Sequence, residues 1–67
     1  MYGQGGSTRL RAEGGDPSAQ FELGMMYYYG VGVKANMRKG LSWLRKSASA
    51  GNFDAKYFLK ALAVKFH

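Results

Sequence analysis

Two twelve-residue stretches decide the fold: Ala12-Glu13-Gly14-Gly15-Asp16-Pro17-Ser18-Ala19-Gln20-Phe21-Glu22-Leu23 and, 36 residues later, Ala48-Ser49-Ala50-Gly51-Asn52-Phe53-Asp54-Ala55-Lys56-Tyr57-Phe58-Leu59. Laid over one another they pair Ala12 with Ala48, Gly15 with Gly51, Ala19 with Ala55 and Leu23 with Leu59. Asp16 falls on Asn52 and Phe21 on Tyr57, both conservative pairs. The matched positions are those with structural work to do: a small packing residue, a helix stop, a cap and the core. A period of this size is the mark of a stacked repeat array. Each unit is expected to be a helix pair that buries its apolar face by stacking on the next. The match fades after Leu59, where Gly24 falls on Lys60 and Tyr27-Tyr28 on Ala63-Val64. The second copy therefore reads as a shortened terminal helix with a more polar outside, as a capping element has.

Working outward, Asp16-Pro17 is the clearest helix start, because Asp caps well and Pro fits the first helical position, where its missing N–H costs nothing. Ala19, Leu23, Met26 and Tyr27 then share one face, with Phe21, Met25 and Tyr28 on the other. A helix apolar nearly all round expects neighbours on more than one side. Gly30 stops it. Asn36 caps the next helix, whose inner face holds Met37, Leu41, Leu44 and Ala48, widened by Gly40, Trp43, Ser47 and Ala50. Its outer face is polar, with Arg38, Ser42, Arg45 and Ser49 flanked by Lys39 and Lys46. After Gly51, Asn52 caps a third helix with Ala55, Phe58, Leu59, Leu62 and Phe66 inward. The expected class is all-α, with helices at about 8–13, 17–29, 37–50 and 53–66, a flexible arm over residues 1–6 and one domain over 7–67. Leu23, Tyr27, Leu41, Trp43 and Leu59 are the expected core, and Ala19, Gly24 and Gly40 the points of close helix approach.

Composition bounds the rest. With 67 residues the chain holds one small domain. At 46% hydrophobic and 15% aromatic it is not disordered, despite ten glycines. Without cysteine there is no disulfide framework, and one histidine, His67, leaves no ligand set for zinc or another metal. No apolar run approaches the ~18 residues of a membrane span. Met1 to Ser7 lacks the basic start and apolar stretch of a signal peptide, so the cytoplasm is the expected location. The charge is lopsided. Residues 1–33 carry Arg9 and Arg11 against Glu13, Asp16 and Glu22, while residues 34–67 carry eight basic side chains against Asp54. Such a half suits an acidic protein partner, a nucleic acid or an anionic membrane, or simply a solvated face.

The stretches Ala12-Glu13-Gly14-Gly15-Asp16, Ala19-Gln20-Phe21-Glu22-Leu23-Gly24, Met26-Tyr27-Tyr28-Tyr29-Gly30-Val31-Gly32-Val33, Lys39-Gly40 and Trp43-Leu44-Arg45-Lys46-Ser47-Ala48 together resemble the Sel-one-like repeat, a tetratricopeptide-like α-solenoid. The resemblance spans one full repeat and flanking helices. The 36-residue spacing and the Gly-Val-Gly-Val connector favour it over the ordinary 34-residue tetratricopeptide repeat. Asn36 stands where the family favours Asp, and Gly40 where it favours Ala, at a cost of up to about 1 kcal/mol in an exposed helix interior. The resemblance implies adaptor or regulatory scaffolding, often in bacterial signalling, cell-envelope or host-interaction settings.

Catalysis has little to work with. The carboxylates are scattered, the one histidine is terminal, and Gly30-Val31-Gly32 lacks the preceding strand and the Lys-Ser/Thr of a phosphate loop. No cofactor and no enzymatic activity are expected. The leading function is a protein-interaction module that binds and modulates another protein. Glu22, Met25, Tyr28 and Tyr29 are candidate contact residues on the first helix of the repeat, since Tyr and Met are enriched at interface cores. Packing against a neighbouring helix is the alternative use of Met25 and Tyr28. Arg38, Arg45 and Lys46 are candidates for an electrostatic rim toward an acidic partner. A homodimer through the exposed solenoid ends is a further expectation. Nucleic-acid binding is the alternative function, favoured by the basic half but lacking any helix-turn-helix, RNA-binding or zinc-finger signature.

Overall fold

The two turns at which the repeat was found are built alike. The computed structural model describes residues 4–65, arranged as α1 (Gln4–Glu13), α2 (Pro17–Tyr29), α3 (Met37–Ser49) and α4 (Phe53–Lys65). Gly15 and Gly51 both take φ +101°, a conformation that favours glycine. At the first turn Gly14 N donates to Leu10 O, Gly15 N to Ala12 O and Asp16 N to Arg11 O. Every one of these recurs 36 residues on: Ala50 N to Lys46 O, Gly51 N to Ala48 O and Asn52 N to Ser47 O. The capping residues recur as well, with the donor one residue later in the second copy: Ser18 N donates to Asp16 Oδ1 at 3.0 Å and Ala55 N to Asn52 Oδ1 at 3.1 Å. The sequence repeat is thus a repeat of hydrogen bonds, and α2 and α4 are equivalent helices one period apart.

Neighbouring helices pack in chain order, α1 on α2, α2 on α3 and α3 on α4. Pairs α1–α2 and α2–α3 are antiparallel, since Ala12 meets Gln20 and Arg9 meets Tyr27 across the first, and Pro17 meets Ser47 while Gly24 meets Gly40 across the second. The all-α expectation of a tetratricopeptide-like stack holds. Between α2 and α3, Gly30 closes the helix with φ +74°, its N–H and that of Val31 both reaching Met26 O. A Cβ on Gly30 would lie 2.9 Å from Ala35 Cβ, so the connector folds back where only glycine fits. Asn36 N then donates to Tyr27 O, and Asn36 Oδ1 accepts from Lys39 N at 3.0 Å to start α3.

The core is small-residue in character. Ala12, Ala19, Leu23, Tyr27, Leu44 and Ala55 are buried apolar side chains, with Thr8, Gln20 and Ser47 the buried polar ones. The slab, 16 Å across its thinnest direction, leaves little interior for large groups. Leu41, Trp43 and Leu59, expected in the core, are half-buried, with Trp43 packed against the buried cluster. Leu44 instead sits at the centre, fully buried, against Gly24.

Element boundaries differ from expectation mainly at the N-terminus. Helix α1 starts at Gln4, four residues before the predicted start at Thr8, so residues 4–6 of the predicted arm are helical. A first helical turn of Gln-Gly-Gly has little local propensity. The remainder of that arm, and the predicted inward Phe66, lie outside the described residues. Helix α3 ends at Ser49, with Ala50 as its cap.

Candidate functional site

The crossing of α2 and α3 sets the positions of every candidate. A Cβ on Gly40 would stand 2.8 Å from both Gly24 O and Tyr28 N, and one on Gly24 would stand 2.8 Å from Leu44 Cγ. The backbones therefore meet with nothing between them. Further along, Ser47 Oγ donates to Pro17 O at 2.7 Å, so a buried hydroxyl pins the start of α2 to the end of α3. Gln20, a polar side chain on an otherwise largely apolar helix, is buried, and its Nε2 donates to Ala12 O at 3.0 Å. Its Oε1 has no partner among the described residues. The repeat's Ala-Gln pair is thus a tie between successive units, a role that periodicity alone does not reveal.

On this frame the seven candidate contact residues fall into separate groups. Glu22, Met25 and Tyr29 lie at i, i+3 and i+7 on one face of α2, with Tyr28 beside them. Glu22 is exposed and stands 3.7 Å from Arg11 Nη2, which ties it to α1. Met25 and Tyr28 are half-buried and Tyr29 is 60% exposed. The Tyr29 ring meets Tyr28 edge-on at 4.9 Å, and Tyr28 meets Phe58 of α4 edge-on at 5.4 Å. Three rings thus run from the outer face of the first repeat into the second, each in a favourable T-shaped pair. Tyr28 serves packing, as the alternative use allowed, and in doing so it anchors Tyr29.

The basic candidates occupy α3. Arg38, Arg45 and Lys46 are exposed, and among the described residues none of them pairs with a carboxylate. Arg45 and Lys46 border a shallow, open depression with Gly15, Gln20, Ser42 and Ser49. Lys46 Nζ lies 4.9 Å from the Trp43 ring centroid, so part of its charge is directed at an aromatic face. Arg38 stands seven residues, about 10 Å of helix rise, from Arg45 and does not reach that depression. Among the described residues, no group of His, Cys, Asp and Glu is arranged to hold a metal, and no helix is long and apolar enough to cross a membrane. The apolar exposure of α4, at Phe53, Tyr57 and Val64, was not singled out from sequence. The signal was there, in the 36-residue shift that places α4 on α2, whose matching positions hold α3.

With the turn geometry repeated 36 residues apart, and the glycine crossing and the Gln20 tie joining the helices between, the chain defines itself as a stacked helical-repeat protein. It belongs to the Sel1 repeat family, whose model matches residues 17–52. Repeats of this family mediate protein–protein interaction. The chain is 44% identical over 46 residues to a sel1-like repeat-containing protein of Acanthamoeba polyphaga mimivirus, covering 69% of this chain and 8% of that protein. It is 38% identical over 53 residues to DAP3-binding cell death enhancer 1 of Rattus norvegicus, covering 79% of this chain and 10% of that protein. The chain thus spans a tenth or less of the length of these relatives. No solved structure matches it significantly.

Proposed function

We propose that this chain is a cytoplasmic adaptor or regulator that binds and modulates an acidic partner protein through the Glu22–Met25–Tyr28–Tyr29 face of α2, with Arg38, Arg45 and Lys46 steering the approach. The observation that carries this reading is the Tyr29–Tyr28–Phe58 ledge. An aromatic ring that is 60% exposed yet held edge-on by a second, packed ring loses little freedom when a partner covers it. Rigid tyrosines supply contact area at low entropic cost, the property that makes them frequent interface anchors. The basic side chains of α3 lie outside this patch and so act on the association rate and its salt dependence rather than on the contact itself. One relative is named for binding another protein, which agrees with an interaction role of this kind.

The test is affinity capture from cell extract with nuclease treatment, comparing the wild-type chain with Tyr29→Ala and with Arg38→Glu/Arg45→Glu. The reading expects a protein partner that survives nuclease, is lost with Tyr29→Ala at unchanged helicity, and binds more slowly to the double variant. Binding that disappears with nuclease and is indifferent to Tyr29 would establish the nucleic-acid alternative instead.

A further inference from the structure

The face of α4 turned away from α3 is apolar, open and edged with lysine. Phe53, Tyr57, Lys60 and Val64 recur at i, i+4, i+7 and i+11, which is one stripe of a helix. Phe53, Tyr57 and Val64 are 79%, 77% and 75% exposed. Ala55 on the opposite side is fully buried, and Phe58, Leu59 and Leu62 are half-buried there, so α4 is apolar on two faces. Two shallow depressions run along the outer stripe and share Tyr57 and Lys60, forming one continuous groove. Single exposed apolar side chains are ordinary, but a contiguous row of them marks an interaction surface.

The internal repeat states what shape covers such a face. Phe53, Lys60 and Val64 stand 36 residues after Pro17, Gly24 and Tyr28, which are the positions by which α2 holds α3. A helix placed as α3 is placed is therefore the complementary shape. Two features give its chemistry. Where α2 offers Gly24 to the crossing, α4 offers Lys60, so the occupant stands further off and must meet an ammonium group rather than a bare backbone. Lys56 and Lys65 lie beside the stripe, and Asp54 is the one acidic residue of α4. A second copy of this chain is a poor occupant. Its α3 presents Arg38, Lys39, Arg45 and Lys46 and no carboxylate, its α1 presents Arg9 and Arg11 against Glu13, and Glu22 on its α2 already faces Arg11 at 3.7 Å, so lysine would face mostly like charge.

We propose that the outer face of α4 is a docking site for an acidic amphipathic helix of another protein, lying antiparallel along α4 as α3 lies along α2. This rests on the reading of the chain as an interaction module but uses a surface separate from the α2 tyrosines. Apolar side chains of the incoming helix would pack between Phe53, Tyr57 and Val64, and its carboxylates would meet Lys56, Lys60 and Lys65.

The experiment titrates the whole chain with two synthetic helical peptides that share one leucine stripe, flanked by Glu in the first and by Lys in the second. Affinity is read by fluorescence anisotropy and the footprint by backbone amide NMR shifts. The acidic peptide is expected to saturate and to bind at least about tenfold more tightly than the basic one at moderate salt. Shifts should fall on Phe53, Tyr57, Lys60 and Val64. Tyr57→Ser should weaken binding about tenfold, a typical effect of losing an aromatic anchor, while Lys60→Glu should remove the preference for the acidic peptide. Tyr29→Ala should change nothing. Failure to saturate, equal affinity for both peptides or shifts confined to Tyr28 and Tyr29 would overturn the proposal. So would displacement of the peptide by anionic lipid vesicles, or a dimer in light scattering whose α4 face is protected. If the acidic peptide fails here while Tyr29→Ala still abolishes capture of a partner, the α2 reading stands and this one falls.

Discussion

Gly40 is the residue at which local and tertiary physics disagree. Helix propensity alone says that Gly40→Ala should stabilise α3 by up to about 1 kcal/mol. The structure says the reverse, because the new Cβ would stand 2.8 Å from Gly24 O and Tyr28 N, backbone atoms that cannot rotate away. We expect Gly40→Ala to destabilise by about 1–3 kcal/mol, the usual range for overpacking, measured by urea unfolding monitored at 222 nm. A stabilised variant would mean the crossing is looser than described. Ser47 gives a second prediction at this scale. Its hydroxyl donates to Pro17 O, which Asn52 Nδ2 approaches at a longer 3.4 Å. Ser47→Ala should cost about 1 kcal/mol, the net worth of one buried hydrogen bond, and Ser47→Thr should not restore it fully because the site is closed around the side chain. Sequence placed Ser47 on the inner face but gave no sign of its partner, since Pro17 is thirty residues away along the chain.

At the scale of the element, each helix is defined by its ends more than by its propensity. Helix α4 depends on Asn52, whose Oδ1 accepts from Ala55 N and whose Nδ2 approaches Pro17 O. Asn52→Ala should destabilise by about 1 kcal/mol, as loss of a cap does. Amide exchange should accelerate first in α4 while the α2 amides stay protected, because α4 is covered on one side only. Equal acceleration throughout would show that α4 does not open separately. The helices α2, α3 and α4 were legible to within a residue because Asp16, Asn36, Asn52, Gly30 and Gly51 are strong local signals. Helix α1 was legible only at its C-terminal end. Ala12 and Gly15 carry the repeat, whereas residues 4–6 offer no signal that a helix begins there.

For the whole molecule, charge and thinness set the stability. Residues 34–65 hold eight basic side chains against Asp54, and the formal net charge of the chain is +6. Like charges on one half of a thin slab repel, and salt screens them over about 10 Å at 0.1 M. Raising the salt from about 0.02 to 0.3 M should therefore raise Tm by a few degrees, on the order of what 1 kcal/mol gives a domain of this size. A Tm that falls with salt would instead place the net stability in the Arg11–Asp16 and Arg11–Glu22 pairs, which are exposed and worth little.

The sequence by itself determined the period, the helix pairs, the caps and the family, because these rest on local chemistry: carbonyl and N–H groups satisfied within a few residues, and a left-handed backbone that glycine adopts without strain. It also offered Glu22, Met25, Tyr28 and Tyr29 of α2 and Arg38, Arg45 and Lys46 of α3 as candidate contact residues. The tertiary structure alone decided which of them work together. Tyr28 turned inward because Phe58 lies one period away in space, leaving Tyr29 as the exposed ring. Gln20 became a tie because Ala12 O comes within 3.0 Å of it. Phe53, Tyr57 and Val64 became a surface because no described helix packs on that side of α4. These outcomes depend on distances between elements, and a one-dimensional pattern gives the face of a helix but not what stands opposite it.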